Sequence, residues 1–344
     1  MEQPGPLEES ARQPQIEIME LKDDFIKFVL SDTDTSVANA LRRIMIGETP
    51  TMAIDLVEME ENTTVLHDEF LAHRLGMIPI RVNLSTGVDA FQYKQDCFCE
   101  SHCPNCSVEF TLDVTHDGPE PVRIVASSDL KTQNESVEAV QYSSQEEEYA
   151  LGETDKNLPK ASRGITIVKL GPGQSIRCKC IALKGISKIH AKWCPVSVAT
   201  FAYDPKIELN DSAIDELTDK QRVDFVNSCP TKVFALEERS GKITVANKSK
   251  CMFCDECVKL SESWRTSVED DPIVAINTEA NKFIFSVETT GSLKPDEVVF
   301  SALKVLQEKL LLLGRKVDEI ENNGGHEVEL RPSQVGFKDN GGFI

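Results

Sequence analysis

Four cysteines, Cys97, Cys99, Cys103 and Cys106, fall within ten residues in the spacing C-x-C-x3-C-x2-C. Thiolates are soft ligands, and four so close in sequence can converge on one tetrahedral ion if the chain folds back tightly. Pro104-Asn105, between the last two, supplies the turn. Zinc suits such a closed, all-sulfur site. His102 has the chemistry to replace one sulfur, and spacing alone leaves that open. Asp96, Glu100 and Ser101 make the segment polar and without core periodicity. A small buried apolar cluster is therefore the weaker reading. An ion here would be structural, stapling a loop too polar to fold by burial.

A second set comprises Cys251, Cys254 and Cys257, spaced C-x2-C-x2-C, with the remote Cys229 followed by Pro230. Three cysteines in that run plus a distant Cys-Pro are the ligand pattern of one [4Fe–4S] cluster. The position that would serve a second cluster is Ser261, so the pattern accounts for a single one. A zinc ion, or the vacated relic of a cluster site, fits the same residues, since spacing defines ligands and not their occupant. With no donor or acceptor evident, an isolated cluster stiffens a domain more often than it carries electrons. An iron–sulfur redox protein is thus the alternative from a different functional class.

The remaining chemistry-bearing residues point away from catalysis. Cys178 and Cys180 alternate with Ile176 and Ala182 on one strand face, as packing residues do. Cys194, alone before Pro195, suggests no role. The six histidines form no HExxH pair, and no Ser or Cys sits in a nucleophile setting. His67 and His73 lie at i and i+6, off a common helical face, and read as solvated or interface residues. Gly171-Pro172-Gly173 is a turn, not a phosphate loop. No residue is assigned as catalytic, and the chain is not expected to be an enzyme by itself.

Lys and Arg number 37 against 57 Asp and Glu, a net charge of −20. Such a surface repels phosphate backbones, so direct binding of nucleic acid is not expected. No apolar run reaches the ~20 residues of a membrane span. The start has neither the positive flank nor the apolar stretch of a signal peptide, which points to cytosol or nucleus and to reduced thiols.

The elements that must position the cysteines read as follows. Residues 1–13 are a polar tail. Ile16, Ile18 and Phe25–Leu30 form a hairpin across Asp23-Asp24. A helix follows, capped by Asp34, Thr35 or Ser36, with Val37, Ala40, Leu41 and Ile44 as its apolar face and Gly47 and Pro50 as its stop. A strand is predicted over 53–60, then a short helix over 67–75 with Gly76 as C-cap. Beyond the cysteine loop come strands at 108–114 and 122–125, an acidic mobile loop over 130–163 around Glu146-Glu147-Glu148, and strands at 165–170 and 175–183. Residues 211–270 form a separate small unit opened by the capping box Thr218–Gln221, with a hairpin turning at Ser240-Gly241. Strands at 273–276 and 282–287 precede a last helix from Pro295. There Val299, Leu303, Leu306, Leu310, Leu313, Val317 and Ile320 repeat four, three, four, three, four, three, a heptad seam that wants one partner helix. Residues 322–344 read as a disordered tail.

These residues also carry a family likeness. Ser36-Val37-Ala38-Asn39-Ala40-Leu41-Arg42-Arg43-Ile44, with Ile54-Asp55-Leu56-Val57 after it, closely resembles the signature helix of the α-like RNA polymerase subunits. The run from His67 through Leu71-Ala72-His73-Arg74-Leu75 to Pro79 resembles a second signature of that family. His190-Ala191-Lys192-Trp193 with Phe201-Ala202-Tyr203-Asp204-Pro205 resembles a third. Val287-Glu288-Thr289-Thr290-Gly291-Ser292-Leu293 and the heptad helix resemble its closing dimerisation segment. Together the matches span most of residues 15–320 in order. The first cysteine loop is similar to that of the polymerase II branch, and the branch shared by polymerases I and III usually lacks it. The 211–270 unit resembles the ferredoxin-like domain of archaeal members, usually reduced or missing in polymerase II ones. A member shared by polymerases I and III, or of a plant-type silencing polymerase, therefore stays open.

The resemblance implies an α+β fold. A split dimerisation domain would comprise 14–48, 194–210 and 271–321, with a mixed β domain carrying the zinc loop inserted at 49–193 and a ferredoxin-like insertion at 211–270. It implies a nuclear, non-catalytic assembly subunit of DNA-directed RNA polymerase II that heterodimerises with a smaller α-like subunit and docks the second-largest subunit, with small zinc-binding polymerase subunits beside it. The interface residues it implies are Leu41, Arg42, Arg43, Ile44, Val299, Leu303, Leu306, Leu310, Leu313 and Val317. Arg42, Arg43 and the His67–Pro79 segment would lie near the docking face for the second-largest subunit.

Overall fold

The structure is a computed structural model describing residues 13–83, 85, 87–141, 164–237, 241–264 and 272–322. The chain opens on a hairpin, β1 (Gln15–Leu21) and β2 (Phe25–Ser31), paired antiparallel. Asp34 caps helix α1 (Thr35–Gly47), its carboxylate accepting from the Val37 N–H at 3.0 Å. Strand β3 (Pro50–Asn62), helix α2 (Asp68–Gly76) and strand β4 (Ile80–Val82) lead to the first cysteine loop. Strands β5 (Ser107–Thr115), β6 (Arg123–Ala126), β7 (Lys131–Thr132) and β8 (Val137–Ala139) follow it. Then come β9 (Thr166–Leu170), β10 (Ser175–Ile186) and β11 (Val196–Leu209). Helices α3 (Asp211–Asp215) and α4 (Asp219–Ser228), strands β12 (Phe234–Leu236) and β13 (Ile243–Val245) and helix α5 (Glu256–Glu262) build a small unit. Strand β14 (Val274–Thr289) and helix α6 (Pro295–Asn322) close the described chain.

A four-stranded antiparallel sheet has the order β1-β2-β14-β11, and a six-stranded one the order β7-β5-β10-β3-β4-β8. Ile26, Phe28 and Leu30 of β2 and Phe283, Phe285 and Val287 of β14 face one way, as strand alternation requires, and Phe28 stacks on Phe285 at 4.9 Å. Helix α6 lies over β2 and β14, while α1 lies over β11 and β14 and against α6. The core runs without a break from this layer into the six-stranded sheet. The small unit has a core of its own, including Ile214, Phe225, Phe234 and Ile243. The fold is α+β, and among the described residues no helix is long and apolar enough to cross a membrane.

Several sequence expectations change. The buried stripe of α1 is Ala38, Leu41, Ile44 and Met45, and Val37 is exposed. With Asp34 as the cap, the i, i+3, i+7 row through Ala38, Leu41 and Met45 faces the sheet. Leu41 is 1 % exposed and Ile44 4 %, so both pack in the chain's own core. Residues 274–289 form one strand where two were expected; the stretch between stays extended, and pairing with β11 jumps from Phe283 to Glu279. Part of the expected mobile loop is ordered: β7 pairs with β5 and β8 with β4, as edge strands too short to show a period. Glu146-Glu147-Glu148, Ser240 and the two tails beyond residues 13 and 322 lie outside the described residues. Gly76 is not a left-handed cap but ends α2 in ordinary geometry, and Met77 caps it. A Cβ on Gly76 would stand 3.3 Å from the Ile54 carbonyl, so the glycine serves close packing against β3.

Helix α6 is divided along its length. Val298, Val299 and Ala302 are buried, with Val305 and Leu306 packed against the core. Beyond them Leu310 is 60 % and Leu313 62 % exposed, and Val317 and Ile320 are exposed too. Leu41→Ala should therefore cost the chain about 2–5 kcal/mol in chemical denaturation, while Leu310→Ala should change it by less than about 0.5 kcal/mol. Equal losses at the two sites would contradict this division of core and surface.

Candidate metal centres and interaction face

The first cysteine loop is framed by a single turn at Lys94–Asp96 and by the start of β5. The Cys103 carbonyl accepts from the N–H of Cys106 at 3.0 Å and from the N–H and hydroxyl of Ser107 at 2.9 Å each. The Gln92 N–H, donating to the Asn105 carbonyl at 2.9 Å, draws the two arms together. Cys97, Cys99, Cys103 and Cys106 then have all their sulfurs within 4.8 Å of one another. The Cys97–Cys103 and Cys99–Cys106 separations are 3.6 Å and the Cys103–Cys106 separation 3.8 Å. A tetrahedral ion bonded to sulfur at about 2.3 Å needs ligand separations of about 3.8 Å. The cage fits one such ion, and His102 is not part of it.

Charge supports the cage. The Asn105 N–H holds the Cys103 thiol down to about 7. The Cys99 N–H lowers Cys97, but the neighbouring sulfurs of Cys99 and Cys103 carry it up to about 11, so without an ion Cys103 is the favoured thiolate. The Lys94 ammonium donates to the Cys99 carbonyl at 2.8 Å and lies 3.3 Å from its sulfur. At the base of the loop, Lys184 donates to the Phe91 carbonyl at 3.2 Å and to Asp89 at 3.1 Å. The second oxygen of Asp89 accepts from Lys304 of α6 at 2.5 Å. Burial pushes the Asp89 carboxyl up, yet the two ammonium groups hold it below its ordinary value. Burial, with Asp89, Asp96 and Glu308 nearby, pushes the Tyr93 phenol up to about 12, and the Lys184 ammonium sits 5.0 Å from its ring centre. One carboxylate thus ties the cysteine loop to the C-terminal helix.

The second set of cysteines is gathered differently. Cys229 ends α4, Cys251 caps the turn Lys248–Lys250, Cys254 follows, and Cys257 lies in the first turn of α5. All four line one pocket together with Thr231, Val233 and Ile276. Among the described residues only the first set has its sulfurs all within 4.8 Å of one another, so the second set is gathered around a pocket and not into a closed cage. Phe253 and Asp255 adopt left-handed φ of 53° and 59°, and Lys232 one of 54°. Alternating hands turn successive N–H groups into a concavity that suits anions and iron–sulfur clusters. The Val233 N–H donates to the Cys229 sulfur at 3.3 Å. Burial opposes ionisation of Cys229, but the N–H groups of Val233, Thr231 and Lys232 bring its thiol below the ordinary value. Burial, with Cys229 and Cys251 nearby, pushes Cys257 up to about 11.

Of the expected interface residues, Leu303, Leu310, Leu313 and Val317 are exposed along α6, with Leu306 half-buried among them. Val299 joins Leu41 and Ile44 inside the chain, its place set by the underlying sheet. Arg42 is half-buried and donates through Nε and Nη2 to Asn39 at 3.2 and 2.9 Å, while Arg43 is exposed. Phe300 and Leu311 are exposed apolar residues outside the heptad seam. Neither they nor the Asp89–Lys184–Lys304 tie carried a sequence signal, because each depends on where α6 lies against the rest of the chain.

The RNA polymerase Rpb3/Rpb11 dimerisation domain matches residues 27–310. The chain is 45% identical over 301 residues to DNA-directed RNA polymerase II subunit rpb3 of Dictyostelium discoideum, covering 87% of this chain and 93% of that protein. It is 38% identical over 321 residues to subunit 3 of DNA-directed RNA polymerases II, IV and V of Arabidopsis thaliana, covering 90% and 93%. Against Dictyostelium subunit rpac1 of polymerases I and III the identity falls to 32% over 321 residues, covering 89% and 83%. Two paralogues of one organism thus separate, and the polymerase II one stands nearer. The chain belongs to the family of RNA polymerase α-like subunits built on the Rpb3/Rpb11 dimerisation domain, as an Rpb3-like member of its polymerase II branch.

Proposed function

We propose that this chain is a nuclear, non-catalytic assembly subunit of RNA polymerase II, whose helix α6 pairs with a smaller α-like subunit. The observation that carries this is the half of α6 that leaves the chain's own core. Leu310, Leu313 and Val317 continue the seam begun by Val299 and Leu306, but are left exposed by the described residues of this chain. Burying each such side chain is worth about 1.5–3 kcal/mol. A partner helix laid along the seam gains that energy without rearranging the sheet. The heterodimer would then dock the second-largest subunit near Arg42, Arg43 and the 67–79 segment, with small zinc-binding subunits beside it. Template binding and nucleotidyl transfer would belong to other chains, in keeping with a net charge of −20.

In this reading the first cysteine loop holds one structural zinc ion through Cys97, Cys99, Cys103 and Cys106. The second set, Cys229, Cys251, Cys254 and Cys257, holds a single [4Fe–4S] cluster that organises the small unit, whose core is modest. The C-x2-C-x2-C run with its remote Cys-Pro and the left-handed turns favour a cluster there over a second zinc ion. A cluster supplies cross-linking between Cys229 and the 251–257 run; the chain's residues supply thiolates, N–H donors and an apolar wall.

Leu310→Asp with Leu313→Asp should abolish co-purification with a co-expressed smaller α-like subunit while leaving this chain folded by circular dichroism. Retained co-purification would refute the pairing. Metal analysis should find about one zinc per chain, lost in Cys103→Ser, and chymotrypsin should then cut faster at Phe98 in the loop. Unchanged zinc in that variant would contradict the first site. Anaerobic purification should give brown protein with about four iron and four sulfide per chain, bleached by Cys254→Ser. Colourless protein holding zinc alone would rule out the cluster.

A further inference from the structure

Asp204 is a carboxylate buried to 2 % exposure in β11, within the four-stranded sheet and outside both cysteine sites. It stands where the β11–β14 ladder is irregular: Tyr203 pairs with Phe283, but Asp204 pairs with Glu279. The residues that the β11 register skips include Lys282, which pairs with Ser31 of β2 and whose ammonium donates to Asp204 Oδ2 at 3.0 Å. A second ammonium, that of Lys248, reaches the same oxygen at 2.9 Å from the small unit. Oδ1 has no hydrogen-bond partner among the described residues. A buried carboxylate is costly unless cations compensate it, so both lysines are held by strong electrostatic need.

Lys248 opens the single turn Lys248–Lys250 that Cys251 caps, and its carbonyl accepts the Cys251 N–H at 3.0 Å. A continuous path therefore runs from Asp204 through Lys248 to Cys251. The far side of the same loop is tied elsewhere: the Val233 carbonyl accepts from the N–H groups of Ala246 at 2.9 Å and Asn247 at 3.1 Å, and the Val233 N–H donates to the Cys229 sulfur. Val233 joins the loop to Cys229, and Asp204 joins it to the sheet.

We propose that Asp204 is a positioning residue for the second cysteine site, anchoring the Lys248–Cys251 turn to the four-stranded sheet so that Cys251 is held against Cys229 and Cys257 before any cofactor enters. This deepens the reading of those cysteines as one ligand set and concerns the protein's own residues alone. Preorganised ligands spare a site the ordering that binding would otherwise require. Lys282 compensates charge and does not position the loop.

The test uses the full-length chain co-expressed with its smaller α-like partner and purified without iron, so that its outcome does not depend on a cluster forming. Iodoacetamide labelling of each cysteine is followed by mass spectrometry. Asp204→Asn and Lys248→Met should each speed labelling of Cys251 by about tenfold, the factor expected when a charged hydrogen bond no longer opposes local opening. Lys282→Met should leave it within about twofold of the parent, and Cys103 should be unchanged in all three. Should Asp204→Asn fail to fold, Lys248→Met still decides, since that side chain is 53% exposed and removes no core contact. Cys251 labelled at the parent rate in Lys248→Met, or Cys103 accelerated alongside it, would overturn the proposal. A chain that never takes up iron yet shows the selective effect would defeat the cluster and leave the anchor standing.

Discussion

Helix α6 carries its apolar seam further than the sheet beneath it extends. Val298, Val299 and Ala302 meet β2, β14 and α1, and among the described residues the apolar side chains after Leu306 lie outside the chain's core. Much of the remaining architecture serves to hold that projecting segment in one direction. Lys304 is tied to Asp89 and Lys309 to Glu48 at the end of α1, so the helix is fixed to two other elements just before it leaves the core. Exposed pairs of this kind add little stability. Their value here is geometric, because a helix that swings cannot present a seam.

The two cysteine loops address a different constraint. Both lie where the chain is polar and short of apolar residues, and neither has secondary structure long enough to order itself. The first brings four sulfurs to tetrahedral spacing at the foot of β5, next to the Asp89 tie. The second spreads four sulfurs around a pocket in a unit with its own small core. A net charge of −20 keeps such a surface from phosphate backbones and leaves apolar contact as the natural means of association.

How far the sequence discloses this depends on whether the signal is local. Asp34 as a cap, the Thr218–Gln221 capping box and the alternation of Cys178 and Cys180 are set by neighbours within a few residues, and the structure keeps each of them. The first cysteine cluster is equally local, and the structure excludes His102, which spacing left open. Nothing local reveals which half of a heptad seam, or which face of α1, the chain's own sheet will cover, and the structure buries Val299, Leu41 and Ile44 in the core. Edge strands such as β7 and β8 are two and three residues long, too short for any period. The Asp204 anchor joins residues 204, 248 and 282, and only the folded sheet brings them together.

The central claim is that residues 307–322 form a helical surface completed by another subunit. Amide hydrogen exchange on this segment, with and without the smaller α-like partner, tests it most directly. The account predicts fast exchange across 307–322 in the chain alone, strong slowing on addition of the partner, and little change in β14. Exchange there that is already slow in the isolated chain, or that ignores the partner, would contradict it.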